Sequence, residues 1–270
     1  MKKQTKSVSP TTQELFIQKH KLHHHRIAIL RFLFFFLFLC IWELSAETGL
    51  IDSFFFSSPS RVLACFYSML LDGSLFLHTS ITVLETICSF FLVISLGLLG
   101  ATLLWYFKSF SEIVEPYLVV LNSLPKSALA PLFIVWLGTG FHTIIVAGIS
   151  VALFGCMISL YTGFQQVDKE KSTLIYTLGG TKKDVFFKVV LPHSVPTILS
   201  NMKVNIGLAL VGVIIGEFLA ARSGLGYLII YGSQVFQLHM VITSIIILCI
   251  IAILLYQLIQ SMEHFYKKRI

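Results

Sequence analysis

The sequence has few charged residues. Only 12% of its 270 residues are Asp, Glu, Lys or Arg, whereas 56% are hydrophobic. With a mean hydropathy of +0.85, this composition excludes an ordinary soluble globular domain and requires a lipid bilayer as solvent. We therefore predict a single membrane domain.

Signatures of nucleotide hydrolysis, metal binding and disulfide bonding are also missing. No P-loop glycine-lysine motif occurs, so the chain cannot be a nucleotide-hydrolysing subunit. The five cysteines show no C-x-x-C spacing. His20 and the run 23–25 lack a neighbouring carboxylate or cysteine that would complete a metal site. We predict no catalytic residues, no metal and no cofactor bound by this chain.

The net charge of +7 does not indicate a nucleic-acid partner. The basic residues flank the apolar runs, and no basic face carries interleaved aromatic side chains on a soluble element. We therefore expect these basic residues to lie next to the lipid bilayer and not to bind a nucleic acid.

Six apolar runs are each long enough to cross the hydrocarbon core of a bilayer as a helix. They predict an all-α polytopic membrane protein with six transmembrane helices, at residues 27–44, 82–107, 117–137, 142–161, 205–221 and 241–259. The segment Pro59–Leu71 has a helical apolar stripe that is typical of a surface helix.

Lysine and arginine predict the orientation. Seventeen of them lie in the flanks on one side of the six runs and only two, Arg61 and Arg222, on the other. Because cytoplasmic flanks carry the excess of positive charge, both termini are expected in the cytoplasm. Lys126 falls within a run and is left out of the count.

The polar segment 165–196 interrupts the apolar part of the chain. The pair Gly179-Gly180 predicts a break between two short helices, since glycine adopts the left-handed conformation that ends a helix. Thr181 and Asp184 have capping-box spacing for the second helix. Pro192 and Pro196 predict its end. A basic amphipathic hairpin of this kind is suited to contact another protein.

Charged residues inside the apolar runs are costly and need a reason. Glu217 is predicted either as a gate or cavity residue or as an interfacial carboxylate that reaches water. Lys126, between two prolines, marks a helix break that lines a cavity, or else its side chain reaches the membrane surface. Glu85 is expected at the interface, and Asn205 is a candidate for hydrogen bonds between helices or for a contact with the transported solute.

Five short motifs resemble one protein family. The loop pattern of Gly179, Phe186 or Phe187, VLP at 190–192 and Pro196 resembles the cytoplasmic "EAA" loop of ABC importer permeases. The other four motifs resemble the branch of this family that transports sulfonates, taurine and nitrate. These motifs are PSRV at 59–62, LPKSALAPL at 124–132, WLGTG at 136–140, and GE at 216–217 followed by SGLGY at 223–227. One departure is that the family's glutamate would fall at Thr173, so the acidic contact to the ATPase is absent or replaced.

The resemblance implies a type I ABC importer permease fold and three partners, which are a cytosolic ABC ATPase dimer that uses ATP, an extracytoplasmic solute-binding protein and a second permease copy. It also implies three groups of functional residues. The ATPase-docking residues would be Thr173, Gly179, Gly180, Thr181, Lys182, Lys183, Phe186, Phe187 and Pro192. The pathway or gate residues would be Lys126, Asn205 and Glu217, and the outer-face contacts with the binding protein would be Gly224, Gly226 and Tyr227.

We therefore expect a permease of the bacterial cytoplasmic membrane that imports a small solute by alternating access. The predicted organisation is a basic cytoplasmic tail at 1–26, a first transmembrane helix with an external segment at 27–58, and a transmembrane domain at 59–270 with a coupling loop at 164–203. The alternatives are an integral membrane enzyme, disfavoured because the polar loop lacks a nucleophile–base pair, and a secondary transporter, disfavoured because no internal repeat is visible.

Overall fold

The computed structural model describes residues 12–268, and within that range the chain consists of helices and the turns between them. Residues 1–11 of the predicted basic tail, and Arg269 and Ile270 at the other end, lie outside the described residues. The helices are α1 Thr12–Glu47, α2 Ser53–Phe56, α3 Pro59–Leu71, α4 Ser74–Tyr106, α5 Lys108–Ser123, α6 Lys126–Leu137, α7 Phe141–Gln165, α8 Lys169–Thr177, α9 Lys182–Val185, α10 Leu191–Ala220, α11 Leu225–Gln234 and α12 Leu238–Lys267. A π-helical turn, Phe186–Val190, joins α9 to α10.

The chain divides into two compact units, Met1–Val62 and Leu63–Ile270. In the first unit, the apolar part of α1, Ile29–Glu47, is long enough to span a bilayer. Its large side chains, such as Phe34 at 76% exposure, face outward, as expected of a helix in lipid. Glu43 ties the end of α1 to α3 because its carboxylate accepts hydrogen bonds from the N–H (2.9 Å) and hydroxyl (2.6 Å) of Ser60.

Helices α4, α7 and α10 form the centre of the second unit. Val93, Leu160 and Val213, one from each helix, are at most 1% exposed. Gly212 of α10 lies so close to α7 that a Cβ built on it would stand 2.7 Å from the Gly148 Cα. Small residues thus allow two membrane helices to approach backbone to backbone.

Helices α5 and α6 form a bent pair, with 96° between them. Leu124, before Pro125, has extended dihedrals (φ −64°, ψ 138°), because the proline ring disfavours the helical conformation of the preceding residue. Five helices are long and apolar enough to cross a membrane, and the predicted six spans are reached if the bent pair counts as one broken span.

Helix α4 begins eight residues before the predicted start of the second span. The side chain of Asp72 accepts a hydrogen bond from the N–H of Ser74 (2.8 Å), the first residue of the helix. Two hydrogen bonds from Ser74 lower the pKa of Asp72, and the bond from the Ser74 side chain has a larger effect than the bond from its N–H. Since α4 starts at Ser74, Glu85 lies three turns inside the helix and not at its end.

The predicted stop at Pro192 and Pro196 is wrong. Helical conformation continues from Lys182 to Ala220. The π-helical turn supplies the reason, because the Leu191 N–H bonds the Phe186 carbonyl five residues back and inserts one extra residue just before Pro192. Pro192 then lies in the first turn of α10, where a missing N–H costs little.

The contact between α7 and α10 makes a testable prediction. Gly212→Ala would place a methyl group against the Gly148 Cα (2.7 Å) and the Ala147 carbonyl (2.9 Å), backbone atoms that cannot rotate away. We expect a loss of stability of about 1–3 kcal/mol from overpacking. The thermal unfolding midpoint of the purified protein measures it.

Gly207→Ala on the same helix is the matched control, since no atom of the chain lies within 4 Å of a Cβ at Gly207. It should leave the midpoint of the monomer unchanged. Equal midpoints for the two variants would contradict the close approach of α7 and α10.

Candidate functional site: the hairpin and the Glu217 cluster

The predicted helical hairpin is present as α8 and α9. Gly179 ends α8 in the left-handed region (φ +81°), and the Gly180 N–H bonds the Ile175 carbonyl (2.9 Å), which satisfies a free end of the helix. A Cβ on Gly180 would approach that same carbonyl oxygen to 2.8 Å. Gly179 thus supplies the left-handed dihedral angle of the turn, and Gly180 leaves free the space that a Cβ would fill.

The start of α9 has the predicted capping box. The Thr181 N–H and hydroxyl both donate to Asp184 Oδ2 (2.9 and 2.6 Å). Lys188 forms an ion pair with Asp184 (2.9 Å). These contacts fix the direction in which α9 leaves the glycine turn.

The two phenylalanines predicted to dock differ in exposure, although their rings are in contact, with 5.4 Å between ring centres. Phe187 is 64% exposed, but Phe186 is only 6% exposed. The Phe186 ring lies 5.2 Å from the ring of Trp105 and 5.7 Å from that of Phe164. Phe186 is thus packed into the core of the chain while Phe187 stays exposed, because consecutive helical residues point about 100° apart.

Lys182 also faces the core of the chain. Its amine donates to the Tyr106 carbonyl (2.5 Å) at the end of α4 and stands 5.5 Å from the Trp105 ring centre. It therefore caps α4 and is half-buried against the core of the chain.

The remaining docking candidates, Thr173, Gly179, Thr181, Lys183, Phe187 and Pro192, are exposed, and Gly180 is half-buried. The sequence reasoning missed an exposed apolar group on the same hairpin, formed by Leu174 (59% exposed), Tyr176 (47%) and Leu178 (75%). Apolar residues in an otherwise polar segment are the signal that could have found it. We call this group, together with Phe187, the exposed apolar hairpin residues.

The three predicted pathway residues do not form one site. The Lys126 amine bonds the Leu121 carbonyl of α5 and lies 5.3 Å from the Phe154 ring centre of α7. Asn205 is buried and donates to the Asn201 carbonyl (2.9 Å). Glu217 lies twelve residues further along the same helix, which is roughly 18 Å away.

Glu217 is 1% exposed. Of the two roles predicted for it, that of an interfacial carboxylate that reaches water is therefore wrong. It accepts hydrogen bonds from the Thr82 hydroxyl of α4 (2.7 Å) and from the Gly226 N–H in the first turn of α11 (2.5 Å). Thr82 in turn accepts from the Leu225 N–H (2.8 Å). Glu217 therefore joins α10 to α4 and satisfies the start of α11, where N–H groups have no partner within the helix.

Glu85 of α4 belongs to the same cluster. Its predicted place at the interface is wrong, since it is 3% exposed and its side chain lies beside that of Glu217, one turn after Thr82 on the same face of α4. The early start of α4 explains the error. We define the Glu217 cluster as Glu217, Glu85, Thr82 and the first turn of α11.

The predicted outer-face glycines lie inside this cluster. A Cβ on Gly224 would meet the Glu217 carboxyl at 2.5 Å, and one on Gly226 would meet it at 2.8 Å. Both residues are buried, so neither is open to a partner protein. Tyr227 is half-buried and stacks on His78, with 6.2 Å between ring centres. Among the side chains that the structure describes, no three of His, Cys, Asp or Glu form a group that could hold a metal ion.

The cluster makes a prediction about stability. Thr82→Val keeps the shape of the side chain but leaves the Leu225 N–H and one Glu217 oxygen without their partner. Each lost partner costs about 1–3 kcal/mol in a buried site, so the thermal midpoint should fall.

Thr86→Val is the control, because the buried Thr86 hydroxyl donates to a carbonyl of its own helix, that of Thr82 (2.7 Å). Its effect should be small. A midpoint for Thr82→Val no lower than that for Thr86→Val would argue against the cluster as the link between α4 and α11.

Both the sequence and the fold of the chain are similar to those of known proteins. Residues 93–270 match the family described as binding-protein-dependent transport system inner membrane component. The chain is 28% identical over 86% of its length to the formylaminopyrimidine transport permease protein ThiX of Halalkalibacterium halodurans, covering 92% of that protein. It is 27% identical over 83% of its length to a putative aliphatic sulfonates transport permease protein, SsuC, of Bacillus subtilis, covering 82% of that protein.

Solved structures show the same fold. A chain of the MetNI methionine ABC transporter in an inward-facing conformation superposes with a TM-score of 0.59 at 18% identity, covering 68% of this chain and 92% of that one. A chain of an amino acid ABC transporter with histidines gives 0.57 at 16% identity, covering 78% and 98%. The all-helical architecture is thus the type I ABC importer permease fold, and the chain belongs to the binding-protein-dependent transport system inner membrane components, the permease subunits of ABC importers.

Proposed function

We propose that this chain is the translocating subunit of an importer whose ATP is hydrolysed on a separate ATPase dimer. The observation that carries the proposal is the hairpin, whose turn is fixed by two glycines and which carries the exposed apolar hairpin residues. An exposed group of large apolar side chains on a rigid, basic element is suited to bind a groove on another protein.

The hairpin and both termini are proposed to lie in the cytoplasm of a bacterial cell. The support is the excess of lysine and arginine on that side of the spans. In this orientation the hairpin is within reach of a cytosolic ATPase. The opposite side would meet an extracytoplasmic solute-binding protein.

Two connections would carry motion from the hairpin into the spans. Lys182 and Phe186 attach it to the end of α4 through Tyr106 and Trp105. Helical conformation that is continuous from Lys182 to Ala220 attaches it to α10. Closure of the ATPase dimer would thereby tilt α4 and α10 together. The outward-open and inward-open conformations would then differ in their contacts with the ATPase, as alternating access requires.

A second copy of the chain is proposed to complete the translocation pathway. Gly207 supports this, because nothing in the chain lies within 4 Å of a Cβ there. The other two glycines of this helix, Gly212 and Gly216, are already used against α7. Lys126, Asn205 and Glu217 remain candidates for the pathway or gate.

The cargo is proposed to be a small polar organic molecule or anion, such as a sulfonate, taurine, nitrate or a thiamine precursor. The names of the relatives, which include formylaminopyrimidine and aliphatic sulfonate permeases, support this range. Uptake of these compounds by cells that express the chain with its ATPase and binding protein tests the proposal. Uptake that persists when the ATPase is inactivated would contradict it and favour a secondary transporter.

The proposed orientation predicts a labelling pattern. In a background without native cysteines, a cysteine placed at Lys183 or Lys268 should be protected in intact cells from a membrane-impermeant thiol reagent. One placed at Asp72, between α3 and α4, should be labelled. Labelling at position 183 from outside would overturn both the orientation and the docking proposal.

The hairpin predicts an uncoupled variant. Gly179 has φ +81°, which a β-branched residue adopts only with strain, so Gly179→Val should misdirect α9 and with it Phe187. Because α4, α7 and α10 do not depend on that angle, insertion should survive while ATPase association and uptake are lost. Co-purification with the ATPase and an uptake assay measure the two effects.

Gly179→Asn is the matched control, since asparagine tolerates the left-handed region and nothing lies within 4 Å of a Cβ at this position. It should retain most ATPase association and uptake. A Val variant with normal co-purification and uptake would show that the hairpin is not the coupling element.

A further inference from the structure

Glu85 and Glu217 are two buried carboxyl groups in the interior of the second unit, 3% and 1% exposed. The Thr82 hydroxyl donates to Glu217, and Glu85 follows Thr82 by about one turn on the same face of α4, so the two carboxyl groups lie side by side. Two carboxylates at this separation repel one another, and burial removes the water that would screen them. One of the two must therefore carry a proton or face a neighbouring cation.

The groups around the pair supply no cation. From α4, the pair is faced by Thr82 and His78, and the His78 Nδ1 accepts the Gly224 N–H (2.9 Å), which leaves that nitrogen without a proton and the ring uncharged. From α11 come N–H groups and the stacked Tyr227, and α7 presents Ile144 and Ala147 against the same turn of α10. Among the residues that the structure describes, neither carboxyl forms an ion pair.

A third buried glutamate shows the contrast. Glu263 of α12 is 5% exposed, and it forms ion pairs with Lys203 (2.5 Å) and Lys267 (2.8 Å). Two cations compensate its charge, so it needs no proton. The chain thus solves the burial of a carboxyl group in two different ways.

The hydrogen bonds indicate which carboxyl carries the proton. The Glu217 oxygens accept from Thr82 and Gly226, as a carboxylate does. The Glu85 Oε2 is buried without a hydrogen-bond partner in the chain, and an unpartnered buried oxygen costs less on a neutral carboxyl group than on a carboxylate, so the proton belongs on Glu85.

We propose that Glu85 and Glu217 form a proton-binding site, in which one proton is carried by Glu85 and shared with Glu217. The bound proton neutralises one charge and makes Glu85 a donor, so it ties α4 to the carboxylate that holds the first turn of α11. This inference goes beyond the proposed transport function and is independent of it, because the chain would remain an ATP-driven permease without the site.

Infrared spectroscopy of the full chain in lipid nanodiscs tests the site directly, since a protonated carboxyl group absorbs apart from carboxylates. At neutral pH, where exposed glutamates are ionised, the wild-type protein should show a protonated carboxyl band that shifts on exchange into D₂O. Glu85→Gln should remove the band, while its amide still donates to Glu217 and preserves the fold.

Glu263→Gln is the matched control, because it removes a buried glutamate that is already ionised, and the band should remain. The band's absence from the wild-type protein, or its persistence in Glu85→Gln, would overturn the proposal. The wild-type measurement needs no substitution, so the test stands even if a variant fails to insert.

Thermal unfolding gives a second readout. At neutral pH this glutamate is ionised in the unfolded chain but keeps its proton in the native chain, so stability falls as the pH rises until the native chain also loses the proton. The midpoint of the wild-type protein should decrease from neutral to alkaline pH, and that of Glu85→Gln should decrease less. Identical pH profiles for the two proteins would contradict a proton bound at this pair.

Discussion

The close contact between α7 and α10 is the constraint on which the rest of the second unit depends. Gly212 faces Gly148 with no space for a side chain on either helix. In a bilayer, lipid competes for apolar surfaces as well as another helix does, so backbone-level packing of this kind holds membrane helices together. Helix α4 completes the arrangement, with Val93 fully buried.

Helix α10 connects the two places where polar chemistry is concentrated. Through the π-helical turn it receives α9 and the hairpin, and near its other end it carries Glu217. It is therefore one continuous helical element between the hairpin and the Glu217 cluster. Aromatic contacts of Phe186 with Trp105 and Phe164 hold the hairpin against α4 and α7.

Much of the fold could be predicted from the sequence. The lengths of the apolar runs predicted the membrane-spanning helices, because each backbone polar group in lipid must be hydrogen-bonded within a helix. Local rules gave the glycine turn, the Thr181 cap and the break before Lys126, since each depends on dihedral preferences of one or two residues. The stop predicted at Pro192 failed because an extra residue in the preceding turn removes the clash that a proline normally causes.

The functional residues were predicted less completely. Sequence alone determined the membrane class, the charge asymmetry and the positions of the hairpin and of Glu217, because these follow from composition and local patterns. Only the tertiary structure decided that Phe186 points inward while Phe187 points outward. It also decided that Glu85 and the glycines of α11 meet Glu217. These contacts join residues more than a hundred positions apart, and no local pattern specifies which helix faces a given carboxylate until the helices are packed.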